Sequence, residues 1–208
     1  MKNIFKTVLG LAVAMMAFSG CSDDDETYSD ITVYPVFTLA DGDFAISKTG
    51  QELKHPELKV TLSGEEVEYK TEDVNSFDKE KEGVYRFDHS YTNKDGFTRG
   101  QSTFTVNRKG EFTVADIEGK YTFEGGEVTI SKLGEGVIAI PDAWPTGTTI
   151  KCRVAEVSEG KIVVFPENSS FGPISGSGEI TATGFTLDFT LVYNGSALVR
   201  NNTYTKVK

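Results

Sequence analysis

Gly83-Val84-Tyr85-Arg86-Phe87-Asp88-His89-Ser90-Tyr91-Thr92 is the stretch on which the fold turns. Val84, Arg86, Asp88 and Ser90 alternate with Tyr85, Phe87, His89 and Tyr91, a period of two that sets the aromatic rings on one face of an extended strand. Asn93-Lys94-Asp95-Gly96 follows as a polar turn ending in glycine, and residues 102–109 alternate again, so the two runs read as a hairpin. Working outward, residues 32–39, 57–62 and 67–70 are further candidate strands, with Gly64-Glu65-Glu66 as a turn. Five short strands over residues 30–109 predict a small β-sandwich.

The same punctuation continues to the C-terminus. Candidate strands lie at 119–123, 127–132, 136–140, 149–156, 161–165, 176–182, 186–192 and 202–206. Turn signals such as Gly125-Gly126, Ser158-Glu159-Gly160, Thr183-Gly184 and Asn194-Gly195 separate them, and no stretch sustains a helical period. The expected fold class is therefore all-β. An antiparallel meander over residues 110–208, curling into a lipocalin-like barrel or half-barrel, best avoids exposed edges. A second sandwich is the alternative.

Composition narrows the function classes. The 208 residues carry 21 Lys+Arg against 31 Asp+Glu, a formal charge of −10, which argues against nucleic acid or an anionic lipid surface as partner. Hydrophobic residues at 38% and charged residues at 25% suit a folded soluble body. Two cysteines cannot build a disulfide scaffold, and two histidines leave little for zinc, so no metal and no cofactor are expected.

Residues 1–20 read as an address rather than as fold. Lys2 and Lys6 precede an apolar run over residues 8–18, which ends in Ser19-Gly20 before Cys21. That run is too short to cross a ~30 Å hydrocarbon core as a permanent helix. Ser19-Gly20-Cys21 resembles the lipobox of bacterial lipoproteins, with Phe18 where leucine is usual. The resemblance implies cleavage before Cys21 and acylation of its thiol. Two or three acyl chains, at ~0.8 kcal/mol per buried methylene, would then anchor the chain stably. Ser22, Asp23, Asp24 and Asp25, with Glu26, read as a solvated acidic tether over residues 21–29. They also resemble the lipoprotein export signal of Bacteroidota, which implies display on the outer membrane facing the exterior; a periplasm-facing anchor is the alternative. Removing residues 1–20 takes away two lysines and no acid, so the charge deepens from −10 to −12.

Two further resemblances bear on the modules. Glu82-Gly83-Val84-Tyr85-Arg86-Phe87, Tyr91-Thr92-Asn93-Lys94-Asp95-Gly96-Phe97 and Thr103-Phe104-Thr105-Val106 resemble the closing hairpin of bacterial immunoglobulin-like modules. This implies a structural role for Tyr85. Ile117-Glu118-Gly119-Lys120-Tyr121, Val128-Thr129-Ile130-Ser131-Lys132 and Gly136-Val137-Ile138 resemble the C-terminal β domain of Bacteroidota surface lipoproteins, many of them encoded beside glycan-uptake machinery. That resemblance implies outer-membrane uptake proteins as partners and carries little chemistry.

Catalysis finds no constellation in the sequence, and no enzyme is expected. No pair of carboxylates stands out for glycoside hydrolysis. His55, His89 and Cys152 are scattered, and alternation sets Cys152 opposite its cationic neighbours Lys151 and Arg153. Asp41-Gly42-Asp43 and Asn93-Lys94-Asp95 offer calcium-type oxygens, but these are also ordinary turn residues. The sole tryptophan, in Pro141-Asp142-Ala143-Trp144-Pro145, sits between two stiffening prolines. Trp144 either plugs the barrel as core or stacks on a sugar with Asp142 bonding a hydroxyl. Phe171, in a second loop over residues 165–173, is a candidate to line the same mouth. The expected function is a lipid-anchored, non-enzymatic surface module binding glycan for nutrient uptake; a structural or adhesive surface protein is the rival.

Overall fold

The computed structural model describes residues 32–144 and 147–207, and every regular element among them is a β-strand. Cys21 and Ser22 to Asp25 lie outside the described residues, as does Pro145. The N-terminal half holds β1 (Val36–Leu39), β2 (Phe44–Lys48), β3 (Leu58–Leu62), β4 (Glu65–Glu66), β5 (Lys70–Asp73), β6 (Gly83–Thr92) and β7 (Thr98–Arg108). They form one sheet of order β1-β3-β4 and another of order β2-β7-β6-β5, in which β2 runs parallel to β7. Seven strands thus stand where five were expected. The run at 67–70 is not one strand: Val67 N still donates to Val60 O at 3.0 Å, while Lys70 already pairs with Ser90 of β6. The chain changes sheets there, and β4 occupies the place expected for a turn.

The β6–β7 hairpin pairs without interruption from Gly83↔Asn107 to Thr92↔Thr98, and its alternation serves two neighbours at once. Tyr85, Phe87 and His89 face one way, where the His55 ring meets Phe87 edge-on at 4.6 Å and Tyr69 meets His89 at 5.5 Å. Val84, Phe104 and Val106 face the other way and form one buried cluster with Val137, Ala155, Val157 and Phe165 of the second half. Val33–Lys208 is accordingly a single compact unit. The boundary expected at 109/110 is a change of sheet, bridged by Lys109 N donating to Val157 O at 2.8 Å.

The C-terminal half holds β8 (Gly119–Phe123), β9 (Gly126–Gly134), β10 (Val137–Ile140), β11 (Cys152–Ser158), β12 (Lys161–Val164), β13 (Asn168–Ser169), β14 (Gly172–Thr181), β15 (Gly184–Tyr193) and β16 (Ser196–Lys206). All pairings are antiparallel, and the order β12-β11-β10-β9-β8-β16-β15-β14 closes through β14 onto β12, with β13 attached to β14. This is an eight-stranded closed barrel, so the half-barrel and the second sandwich are set aside. A barrel of eight strands is just wide enough for side chains to fill it. Ile130, Ile140, Val154, Ile162, Leu187 and Phe189 do so here, with Phe123, Tyr204 and Phe185 stacked successively at 4.4 and 4.5 Å. Among the described residues these side chains occupy the interior in which a lipocalin keeps its lumen. Closure depends on tight approach at β14, where a Cβ on Gly178 would lie 1.9 Å from Thr186 O.

One local device recurs. Glu82-Gly83-Val84-Tyr85 opens β6 and Glu118-Gly119-Lys120-Tyr121 opens β8. In each, the buried tyrosine hydroxyl donates to the carbonyl four residues upstream, Tyr85 to Lys81 at 3.1 Å and Tyr121 to Ile117 at 3.0 Å. Each bond pins the chain entering a strand to the strand it enters.

Candidate functional site

The loop between β10 and β11 carries the residues singled out in the sequence. Asp142 Oδ1 accepts from Trp144 N at 3.0 Å and Ile150 N at 3.3 Å, and Ala143 N donates to Ile150 O at 2.8 Å. The loop is thus cross-braced on the Asp142 carboxylate. Asn202 Nδ2 on β16 donates to Ala143 O at 2.9 Å and draws the loop against the barrel. Trp144 is half-buried and takes neither of the two expected extremes. Its ring packs on Phe189 at 6.2 Å, and the Arg200 guanidinium lies over it at 4.7 Å. Stacking on a sugar needs an open ring face, and Arg200 already covers one.

Phe171 sits apart, on the turn between β13 and β14, 40% exposed. Ser169 Oγ braces that turn, accepting from Phe171 N at 3.2 Å and donating to Gly172 O at 2.8 Å. Asp142 borders an open cleft of about 450 Å³ with Phe123, Glu127 and Thr149, and neither Trp144 nor Phe171 lines it. A second open cleft, of about 320 Å³, lies on the outer barrel wall between Leu133, Pro141, Lys151, Arg153 and Glu167.

The charged centre that sequence reasoning missed lies beside this second cleft. Arg153 Nη1 donates to Asp43 Oδ1 at 2.6 Å, and its guanidinium also binds Glu167 Oε1. The same group lies over Phe104 at 4.9 Å and Phe165 at 4.6 Å, tying residues 110 positions apart across the two halves. Burial raises the Glu167 carboxyl above its usual range, with Arg153 pulling the other way. The carboxylates are thus held as a clamp on one cation, not as an acid and base flanking a substrate. The signal in sequence was a lone arginine beside an apolar strand. Its partners, at 43 and 167, were invisible there. Deeper in the same seam, Arg108 Nε donates to Glu156 O at 3.1 Å, and the buried Glu156 carboxylate accepts from Ala115 N at 2.8 Å and Gly160 N at 3.0 Å.

The remaining candidates are likewise structural. Cys152 is buried among the barrel core, and burial, reinforced by the charges of Glu167 and Asp142, raises its thiol far above the ordinary value. A thiol kept protonated is a poor nucleophile. His89 holds its two ring nitrogens at 2.9 Å from Thr71 Oγ1 and 2.8 Å from Thr103 Oγ1. Burial lowers its pKa, as it does that of His55. Asn93 Oδ1 accepts from Asp95 N and Phe97 N, a turn closed on its own side chain, and Asp43 is committed to Arg153. Among the described residues no group of three His, Cys, Asp or Glu is placed to hold a metal ion.

No family model and no curated protein matches the chain. Among solved structures it is similar to a lipoprotein of Bacteroides thetaiotaomicron, 16% identical over 83% of this chain and the whole of that one, with a TM-score of 0.37. A likeness at that level transfers no ligand and no chemistry.

Proposed function

We propose that the mature chain is a lipid-anchored, non-enzymatic surface protein that acts through its exterior, as a structural or protein-contact module. The observation that carries this reading is the filled barrel: Ile130, Ile140, Val154, Leu187 and Phe189 occupy the space a carrier protein would reserve for cargo. The charged groups described above support it: Asp142 braces its own loop, and Asp43, Arg153 and Glu167 join the two halves. The anchor and outer-surface location rest on Ser19-Gly20-Cys21 and the acidic run from Asp23 to Glu26. Biotin or protease should label the wild type on intact cells, and an unlabelled wild type would refute surface display. Replacing Asp23, Asp24 and Asp25 by alanine should abolish that labelling, and retained labelling of the variant would refute the acidic run as the export signal.

A second reading, glycan binding in a nutrient-uptake system, is favoured by one feature. Trp144 remains half-exposed on a braced loop beside the Asp142 cleft. Calorimetry against a panel of glycans decides between the two. The structural reading expects no heat from the wild type. Binding that Trp144→Ala abolishes would overturn it in favour of the glycan.

A further inference from the structure

The barrel closes on only one end of β16, and the hydrogen-bond parity of that strand defines what the rest of it leaves open. Lys206 N donates to Thr183 O at 2.7 Å, and β16 pairs with β15 without a register shift from Thr205↔Gly184 to Ser196↔Tyr193. In an antiparallel ladder, residues alternate between turning N–H and C=O toward one neighbour and toward the other. Even-numbered residues of β16 therefore address β15, and odd-numbered ones address the opposite side. Val207 N, which donates to Lys120 O at 2.8 Å, obeys this parity. Yet β8 pairs with β16 only at Thr205 and Lys206. Ala197, Val199 and Asn201 thus direct their N–H and C=O groups beyond the barrel, and among the described residues none of these groups has a partner.

This edge has the properties that proteins ordinarily suppress. It is regular, carries no proline, and bears exposed apolar side chains: Val199 at 66%, Tyr193 at 47% and Leu198 at 40%. It is also free of acid. Between Tyr193 and Thr205 the one charged residue is Arg200, in a chain of net charge −10. Two copies of so acidic a protein meet with least repulsion along such a segment.

We propose that this edge is a homodimer interface: β16 of one copy pairs antiparallel with β16 of a second across a two-fold axis at Val199. The parity is self-complementary, because odd residues must face odd residues, as an isologous contact requires. Centred on Val199, the register sets Val199 against Val199, Ala197 against Asn201 and Leu198 against Arg200. Centring on Arg200 would oppose two guanidinium-bearing residues at the narrow pair spacing of ~4.5 Å, where like charges repel. Centring on Asn201 would set the two copies of Asp188, each bonded to Asn201, level across the seam at about 14 Å, where centring on Val199 leaves about 20 Å between them. Val199 is the centre that avoids both.

The test uses the full chain in nonionic detergent. Light scattering should give twice the monomer mass for the wild type. Val199→Pro removes an N–H that points away from β15, so the hairpin stays paired while the edge loses its central donor. The dimer fraction at fixed concentration should fall at least tenfold, with an unchanged circular dichroism spectrum. Mild oxidation supplies the register. In Val199→Cys the paired Cα atoms lie about 5.5 Å apart, within disulfide reach. In Ala197→Cys the two thiols are displaced by four residues, roughly 13 Å, and should not join. A wild type monomeric up to about a hundred micromolar would overturn the proposal and leave the edge to an extended peptide of another protein. Equal cross-linking of both cysteine variants, or an undiminished Val199→Pro dimer, would overturn it as well.

Discussion

Arg153→Met is the substitution that most directly asks what joins the two halves. Methionine keeps most of the apolar stem while deleting the guanidinium that binds Asp43 and Glu167 and lies over Phe104 and Phe165. Removing one partner of a fully buried ion pair costs about 3–5 kcal/mol, chiefly because the other charge is left unpaired. The side chains here retain exposures of 19% for Arg153, 30% for Asp43 and 23% for Glu167. Water therefore offsets part of that penalty, leaving about 2 kcal/mol from the two carboxylates, and two ring contacts add ~0.5 kcal/mol each. The expected cost is about 3 kcal/mol, or a fall in Tm of roughly 6–12 °C for a body of this size. The carboxylates should account for most of it, so Asp43→Asn and Glu167→Gln added to Arg153→Met should restore about 1.5 kcal/mol or more. Burial already raises the folded-state pKa of Glu167. The folded form thus takes up protons first as pH falls, and the deficit of Arg153→Met should shrink between pH 7 and pH 5. Urea unfolding followed by Trp144 fluorescence and by far-ultraviolet circular dichroism reads all of this. The shared cluster of Phe104, Val106, Val137 and Phe165 predicts one transition common to both probes. A loss below about 0.5 kcal/mol, no recovery in the triple variant, or two separate transitions would refute the reasoning.

His89 supplies a pH prediction of the opposite sign. Burial, with the neighbouring His55 charge, lowers its pKa below 6.5 in the folded state, so the unfolded chain binds the proton first. Its neutral form contributes stability that is fully present above pH 6.5 and declines as pH falls below it. His89→Gln should flatten the difference in unfolding free energy between pH 7 and pH 5, and an unchanged slope would count against the assignment. Cys152 should resist iodoacetamide in the native protein and react at an ordinary thiol rate once urea unfolds the chain. Native labelling on the time scale of an exposed thiol would show that the barrel core is open.

Local pattern read well at two hairpin arms, each paired without a break to the next strand in the chain. The strand expected from the alternation at 83–92 has the same bounds in the structure, as does the one at 119–123. Where a strand changes partner or outruns its neighbour, the pattern fails. The run at 67–70 passes from one sheet to the other and keeps its alternation while losing its continuity. β16 was expected from 202 and begins at Ser196, because its first residues lie beyond the last strand that could bury a face. The strand expected from 149 begins at Cys152, since Ile150 enters the core from the loop and not from the ladder. β2 was passed over entirely. Its parallel partner, β7, lies 60 positions away, Phe44 pairing with Phe104, and no turn links the two.

The candidate site was less legible for a related reason. The two prolines around Trp144 suggested a stiff loop; the bracing that the structure shows comes from Asp142, which binds the amides of Trp144 and Ile150. A residue that braces a loop and one that awaits a ligand have the same identity and spacing, and differ only in whether a donor is already in place. The same ambiguity covers Arg200, which sequence gives no cause to set over Trp144, and Arg153, whose anionic partners lie 110 and 14 positions away. Once those partners are known, Asp142, Arg153 and Glu167 are all engaged, and Asn107 Oδ1 and Asn202 Oδ1 are buried without a partner. What the fold leaves unpaired along its surface edge is backbone, at Ala197, Val199 and Asn201. Recognition by unpaired main-chain groups reads the extended shape of a partner more than its sequence. That is why no residue motif pointed to this edge, and why a protein with a filled barrel and few free side chains can still have a defined surface to offer.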